Sequence, residues 1–164
     1  MTMLSIRRYP DPALKSRCSE VTVFDADLKA LADNLHAAMT AAPGVGITAA
    51  HCGILQRVVV LDLPELGGRR DYVNPELLAA SDDTMEHTEG SVSMPGMTET
   101  IARPRLIEIR YRTLDGQKRF ETLEDFAAIC MQHEIDQLDG LFWIHRLSRL
   151  KRERLLKKWE KQAR

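Results

Sequence analysis

The sequence predicts an α+β fold, with antiparallel sheet pieces wrapped around one buried helix and a further helix near each end. Three observations predict it. Strand-like segments cluster between residues 57 and 121 instead of alternating with helices, which separates α+β chains from parallel α/β ones. Leu28, Leu31, Leu35 and Met39 recur at helical spacing. Ile107, Ile109 and Tyr111 alternate with Glu108, Arg110 and Arg112, the pattern of a half-buried strand.

Taken in order, residues 1–24 read as irregular, with Pro10 and Pro12 marking an extended start. Asp25 and Asp27 can cap a helix that runs to about Ala41, where Pro43 and Gly44 end it. Gly44-Val45-Gly46 opens a tight loop. Arg57-Val58-Val59-Val60-Leu61-Asp62 reads as a strand, and strand-like pieces follow at 71–73, 76–80, 101–113 and 118–121. Thr122-Leu123-Glu124-Asp125 resembles a capping sequence for a central helix over about 123–138, and Gly140 is its natural stop. Ser148 can cap a last helix over about 148–162.

The 164 residues suit one domain spanning 1–164, with 44% apolar and 29% charged residues, as in ordinary globular proteins. The net charge of −1 is unevenly spread. Nine Lys and Arg between Arg146 and Arg164 stand against Glu153 and Glu160, giving +7 there and −8 in the remainder. A basic terminal helix of this kind can contact an anionic surface such as ribosomal RNA, or simply be a solvated helix docked on the core. Cys18, Cys52 and Cys130 are an odd set without framework spacing, nothing at the start reads as a signal peptide, and no apolar run reaches membrane length. The expectation is a cytoplasmic monomer with no DNA and no membrane partner. Cys130, one turn before His133, reads either as a ligand or as a small buried apolar side chain.

The chemistry centres on Gln132-His133-Glu134-Ile135-Asp136-Gln137. An HExxH helix places two imidazoles one turn apart on one face, with the Glu between them as general base. Here the first His and the Glu stand, but Gln137 holds the last position, and a carboxamide is a poor ligand for a transition metal.

Two further segments accompany it: Gly44-Val45-Gly46-Ile47-Thr48-Ala49-Ala50-His51, and Glu89-Gly90-Ser91-Val92-Ser93-Met94-Pro95-Gly96. Together the three resemble, in order and spacing, the signature motifs of the peptide deformylase family, which usually read GxGLAAxQ, EGCLS and QHExDHLxG. The resemblance extends over nearly the whole chain, from Tyr9-Pro10-Asp11-Pro12 to Arg146-Leu147-Ser148-Arg149. It implies the hydrolysis of the formyl group from the N-terminal formylmethionine of nascent peptides. It also implies a divalent metal, iron or zinc, held by the Cys of the second motif and both His of the third. Carried over residue by residue, His133 matches the first His ligand and Glu134 the general base. Ser91 stands at the Cys position and Gln137 at that of the second His. His51 replaces the Gln that polarises the formyl oxygen, and Val92 replaces a Leu whose backbone N–H does the same. Gly44, Val45, Gly46, Glu89 and Gly90 fall along the substrate cleft, where an extended peptide can add as a strand.

A serine hydroxyl gives no anionic ligand comparable to a thiolate, so two of three protein ligands are gone. The reading is a deformylase-like protein with no metal or only a weakly bound one, and with deformylation lost or strongly weakened. Two alternatives stand beside it. One is an active hydrolase with a site rebuilt from His51, His133, Glu134 and Ser91, in which His51 serves as a replacement ligand (with Glu134 or Cys52) or as a base for Ser91. The other is a ribosome- or peptide-binding protein without catalysis. His36 reads as a helix-surface histidine and His87 as a loop histidine. The Gly44–Gly46 loop lacks the Lys-Ser/Thr of a phosphate cradle.

Overall fold

The computed structural model describes residues 3–163. Its first helix, α1, spans Ala26–Ala41, and the Asp25 carboxylate accepts the backbone N–H of Leu28 at 3.1 Å, as the capping signal predicts. Leu28, Ala32, Leu35 and Ala38 form its buried face. A short strand β1 (Gly46–Thr48) follows, then β2 (Val58–Leu63), β3 (Gly68–Ala80), β4 (Thr84–Gly90), β5 (Thr98–Pro104), β6 (Leu106–Arg112) and β7 (Lys118–Glu124). The central helix α2 is Asp125–Leu138, and α3 is Arg149–Ala163.

Five strands form one antiparallel sheet in the order β1-β2-β3-β6-β7, while β4 and β5 make a separate hairpin. The run Val58-Val59-Val60-Leu61 is apolar at every position because both sheet faces are covered. Val58 and Val60 pack with Leu28, Ala32 and Leu35 of α1. Val59 and Leu61 pack with Ala127, Ala128 and Met131 of α2. Ile107 and Ile109 of β6 point into the α2 side, as their alternation predicts. A third cluster docks α3 through Leu155 and Trp159, and the Trp159 indole N–H donates to Tyr9 O at 3.2 Å. No helix among the described residues is long and apolar enough to cross a membrane.

The structure departs from the sequence reading in several places. The segment 101–113 is two strands broken at Arg105, because β5 pairs with β4 while β6 pairs with β3 and β7. The pieces at 71–73 and 76–80 are one strand, interrupted by register shifts between Val73 and Glu76, where Asn74 has φ +51°, and between Leu77 and Ala79. Thr122 does not cap α2. Thr122, Leu123 and Glu124 stay paired with β6, Glu124 takes the N-cap position without a side-chain capping bond, and Asp125 turns the chain at φ +54°. Strand pairing outcompetes the cap. Residues 12–15, read as irregular, form a single 3-10 turn capped by Asp11. His36 is more than a surface residue, since its Nε2 lies 2.8 Å from Asp62 Oδ2 and ties α1 to β2.

Leu35 is fully buried between α1 and the sheet. Leu35→Ala is expected to lower stability by about 2–5 kcal/mol, the usual cost of a core truncation, read from urea unfolding midpoints. A loss below about 0.5 kcal/mol, typical of surface changes, would contradict this packing.

Candidate active site

The side chains singled out by the sequence gather on a cleft of about 500 Å³. Three pieces wall it. The helix α2 presents Ile129, Cys130, His133 and Glu134 on one face, through spacings of three and four residues. The hairpin side supplies His87 and Glu89 from alternate positions of β4, then the turn from Ser91 to Met97. The third wall is the loop Pro43–Gly46 with His51, which sits on a 3-10 turn, Ala49–Cys52, directly after β1. Two glycines permit the close approach of that loop. A Cβ at Gly44 would lie 2.8 Å from Val92 Cγ1, and one at Gly46 would lie 3.0 Å from Glu134 Oε2.

His133 is oriented from behind. Its Nδ1 lies 3.0 Å from Glu89 Oε1, so the ring donates there and turns Nε2 toward Glu134 Oε1 at 3.9 Å. Burial alone would push the Glu89 carboxyl up, but hydrogen bonds from His133 and Arg103 outweigh it and hold Glu89 below the usual carboxylate range. Burial pulls the His133 imidazole down, and the Glu89 hydrogen bond with the charges of Glu134 and Glu89 more than reverses this. For Glu134, burial is the larger influence and pushes the carboxyl up to about 7, with His133 pulling the other way. Its Oε1 is buried without a hydrogen-bond partner.

His51 is held on the opposite wall. The backbone N–H of Thr48 donates to His51 Nδ1 at 2.9 Å, and Thr48 Oγ1 lies 3.0 Å from the same nitrogen. A backbone N–H cannot be turned around, so Nδ1 is bare and the neutral ring carries its proton on Nε2. Burial, then the neighbouring His133, hold the His51 pKa down at about 3, so the ring is neutral through the physiological range. Its Nε2 is buried and unpartnered. One ligand-type atom each from His51, His133 and Glu134 lie within 4.8 Å of one another.

The cleft thus gathers His51, His133, Glu134, Glu89, Gly90, Ser91, Val92 and the Gly44–Gly46 loop, all anticipated from the sequence. Gln137 is the exception. Its buried side chain donates to Leu14 O at 2.7 Å, and it ties α2 to the N-terminal segment instead of facing the cleft. Cys52 does not join His51 either, because it packs in the α1-side core. Ser91 Oγ accepts the Ser93 N–H at 3.0 Å. His51 offers no basic nitrogen to it, since one nitrogen is taken by Thr48 and the other holds the proton. Cys130 lines the cleft, with its thiol pushed up by burial first and by Glu134 and Glu89 next, so it stays protonated. His87, read as a loop residue, lies in β4 and packs on Phe126 with ring centroids 4.7 Å apart. Neither it nor the apolar wall of Met94, Met97 and Phe126 was anticipated; His87 and Phe126 come together only through the hairpin.

An antiparallel sheet laid on a buried helix that aims an imidazole and a carboxyl into a cleft is the frame of an enzyme-type site. Comparison with known proteins sharpens this. A family profile for polypeptide deformylases matches residues 3–153. A protein of Agrobacterium fabrum named peptide deformylase-like is 55% identical over 161 residues, 98% of each chain. The peptide deformylase of Phenylobacterium zucineum is 41% identical over 166 residues, covering 99% of this chain and 98% of its own. The crystal structure of Ehrlichia chaffeensis peptide deformylase in complex with actinonin superposes with a TM-score of 0.94 at 32% identity, over 100% of this chain and 99% of that one. The chain belongs to the peptide deformylase family.

The neutral His51 gives the fold a pH signature. The unfolded chain takes up a proton below about pH 6.5 that the folded chain refuses down to about pH 3, so stability falls as pH drops through that window. Between pH 7 and pH 5 natural protein should lose about 2 kcal/mol more than His51→Gln, measured by urea unfolding at each pH. Equal losses would show that the His51 ring is not held neutral.

Proposed function

We propose that this chain keeps the peptide cleft of the deformylase family and has lost metal-dependent removal of formyl groups. The observation that carries the reading is the Gln137 side chain, committed to Leu14 O where the family places its second imidazole ligand. The other donors support it. His133 Nε2 is a sound ligand, held by Glu89 from behind. Ser91 offers a neutral hydroxyl already engaged by Ser93. His51 turns a proton, not a lone pair, toward the cleft. The residues present do not fit a three-ligand divalent ion, so no catalytic step is assigned to one.

What remains suits binding of an extended peptide. The strand β1 pairs only with β2 in the sheet order, which leaves its other edge for a peptide to add as a strand. Met94, Met97, Phe126 and Ile129 line an apolar recess for a first side chain. The ligand would be the end of a nascent chain, in the cytoplasm. Supplied anaerobically with iron or zinc, natural protein should not turn over a formyl-Met peptide. The variant carrying Ser91→Cys, Gln137→His and His51→Gln should gain turnover by about two orders of magnitude or more. Turnover by natural protein with near-stoichiometric metal would overturn the reading.

The terminal helix supports a second contact. Leu155 and Trp159 dock α3, leaving Arg149, Lys151, Arg154, Lys157, Lys158 and Lys161 exposed. We infer that this face meets a polyanion such as ribosomal RNA. Reversing Arg154, Lys157 and Lys158 to Glu spares the docking residues and should weaken ribosome co-sedimentation, as should added salt. Binding indifferent to both would remove this contact.

A further inference from the structure

The helix α2 has a second working face. Gln132, Ile135 and Asp136, at spacings of three and four residues, line a separate cavity of about 210 Å³ together with Leu77 of β3, Ala102 and Arg103 of β5, and Arg146. We propose that this cavity binds a small carboxylate with a short hydrocarbon tail, held by Arg103 and Arg146. The site depends on neither the peptide reading of the main cleft nor a metal there.

Three observations lead to it. First, donors outnumber acceptors. A guanidinium carries five N–H groups. Arg103 engages three of them, two with Glu89 and one with Asp136. One N–H on Nη1 and one on Nη2 remain, on a side chain 4% exposed. Arg146 engages two, both with Asp136. Donors left over on a desolvated cation are unfavourable until an acceptor meets them. Second, the charges do not balance within the cavity. Arg103 Nη1 and Arg146 Nε share one atom, Asp136 Oδ2, each at 2.9 Å, so two cations stand side by side on one carboxylate. Glu89, the other partner of Arg103, lies on the main-cleft side and also serves His133. An added anion relieves the repulsion between the two guanidinium groups. Third, the rest of the wall is apolar. Leu77, Ala102 and Ile135 line it, and Leu77 is 43% exposed.

These features select among ligands. A carboxylate lies in the plane of a guanidinium and accepts two parallel bonds. Phosphate can accept them too but finds no use for Leu77 and Ile135. An ammonium is repelled by both arginines, and a neutral apolar molecule leaves the donors unmet. The volume is about seven times a water's share of the liquid, which suits a carboxylate on a short chain and not a drug-sized molecule.

The test uses full-length protein and sodium butyrate, with acetate, phosphate, butyramide and n-butylammonium beside it at constant ionic strength. Nitrogen-15 NMR follows the backbone amides of Leu77, Ala102 and Ile135 and the Nε–H of Arg146. Butyrate should shift these together and saturably, with a dissociation constant of about 1 mM, in keeping with so small a ligand. Acetate should bind about tenfold more weakly for lack of the tail. Butyramide and n-butylammonium should leave the resonances in place. Arg146→Gln should weaken butyrate binding about tenfold. Ala102→Phe, which fills the cavity and removes none of the arginine bonds, should abolish it, with folding of both variants checked by circular dichroism. Acetate and phosphate matching butyrate would mean an adventitious ion only and overturn the proposal. So would butyrate binding indifferent to both variants, or no saturable shift up to about 50 mM. The ligand series alone decides if a variant fails to fold.

Discussion

Arg103 sits where the two halves of the cleft meet. The hairpin β4–β5 shares no ladder with the five-stranded sheet, so side chains must hold it against α2. Arg103 reaches Glu89 through two bonds, at 2.6 and 3.0 Å, and Asp136 at 2.9 Å. Arg146 then clasps the same Asp136 at 2.9 and 2.8 Å. With its side chain 4% exposed, Arg103 is a desolvated cation between two carboxylates, and removing either kind of partner typically costs about 3–5 kcal/mol. The same Glu89 orients His133. One buried network therefore sets both the width of the cleft and the direction of its imidazole.

This explains how ligand positions could change while the cleft kept its shape. On the proposed reading, the residues at those positions are held locally. Gln137 donates to the Leu14 carbonyl, which fastens α2 to the N-terminal segment. Ser91 accepts from its own turn. His51 accepts from the backbone of Thr48. None of these contacts involves Glu89, Arg103 or Asp136.

Much of the fold was legible in the chain. The Asp25 cap, the apolar face of α1 and the alternation along β6 are local signals, and each survived folding. Elements governed by distant partners were not. Thr84–Gly90 is polar and lacks a strand pattern, yet it is a strand because β5 lies beside it and Arg103 anchors Glu89. Thr122 looks like a cap but is held by β6. At the site, the three motifs marked which residues line the cleft, with Gln137 alone turned away. The proton position on His51 was beyond the sequence, because it depends on where the Thr48 N–H points after the chain has turned.

The central claim is that the cleft has exchanged a cation grip for a hydrogen-bond donor. The most direct measurement is anomalous diffraction from crystals of natural protein grown with zinc, with data collected on both sides of the zinc absorption edge. The account predicts no anomalous peak between His51, His133 and Glu134, and His51 Nδ1 still seated on the Thr48 N–H. A fully occupied peak bonded to His51 Nε2, His133 Nε2 and Glu134 would contradict it.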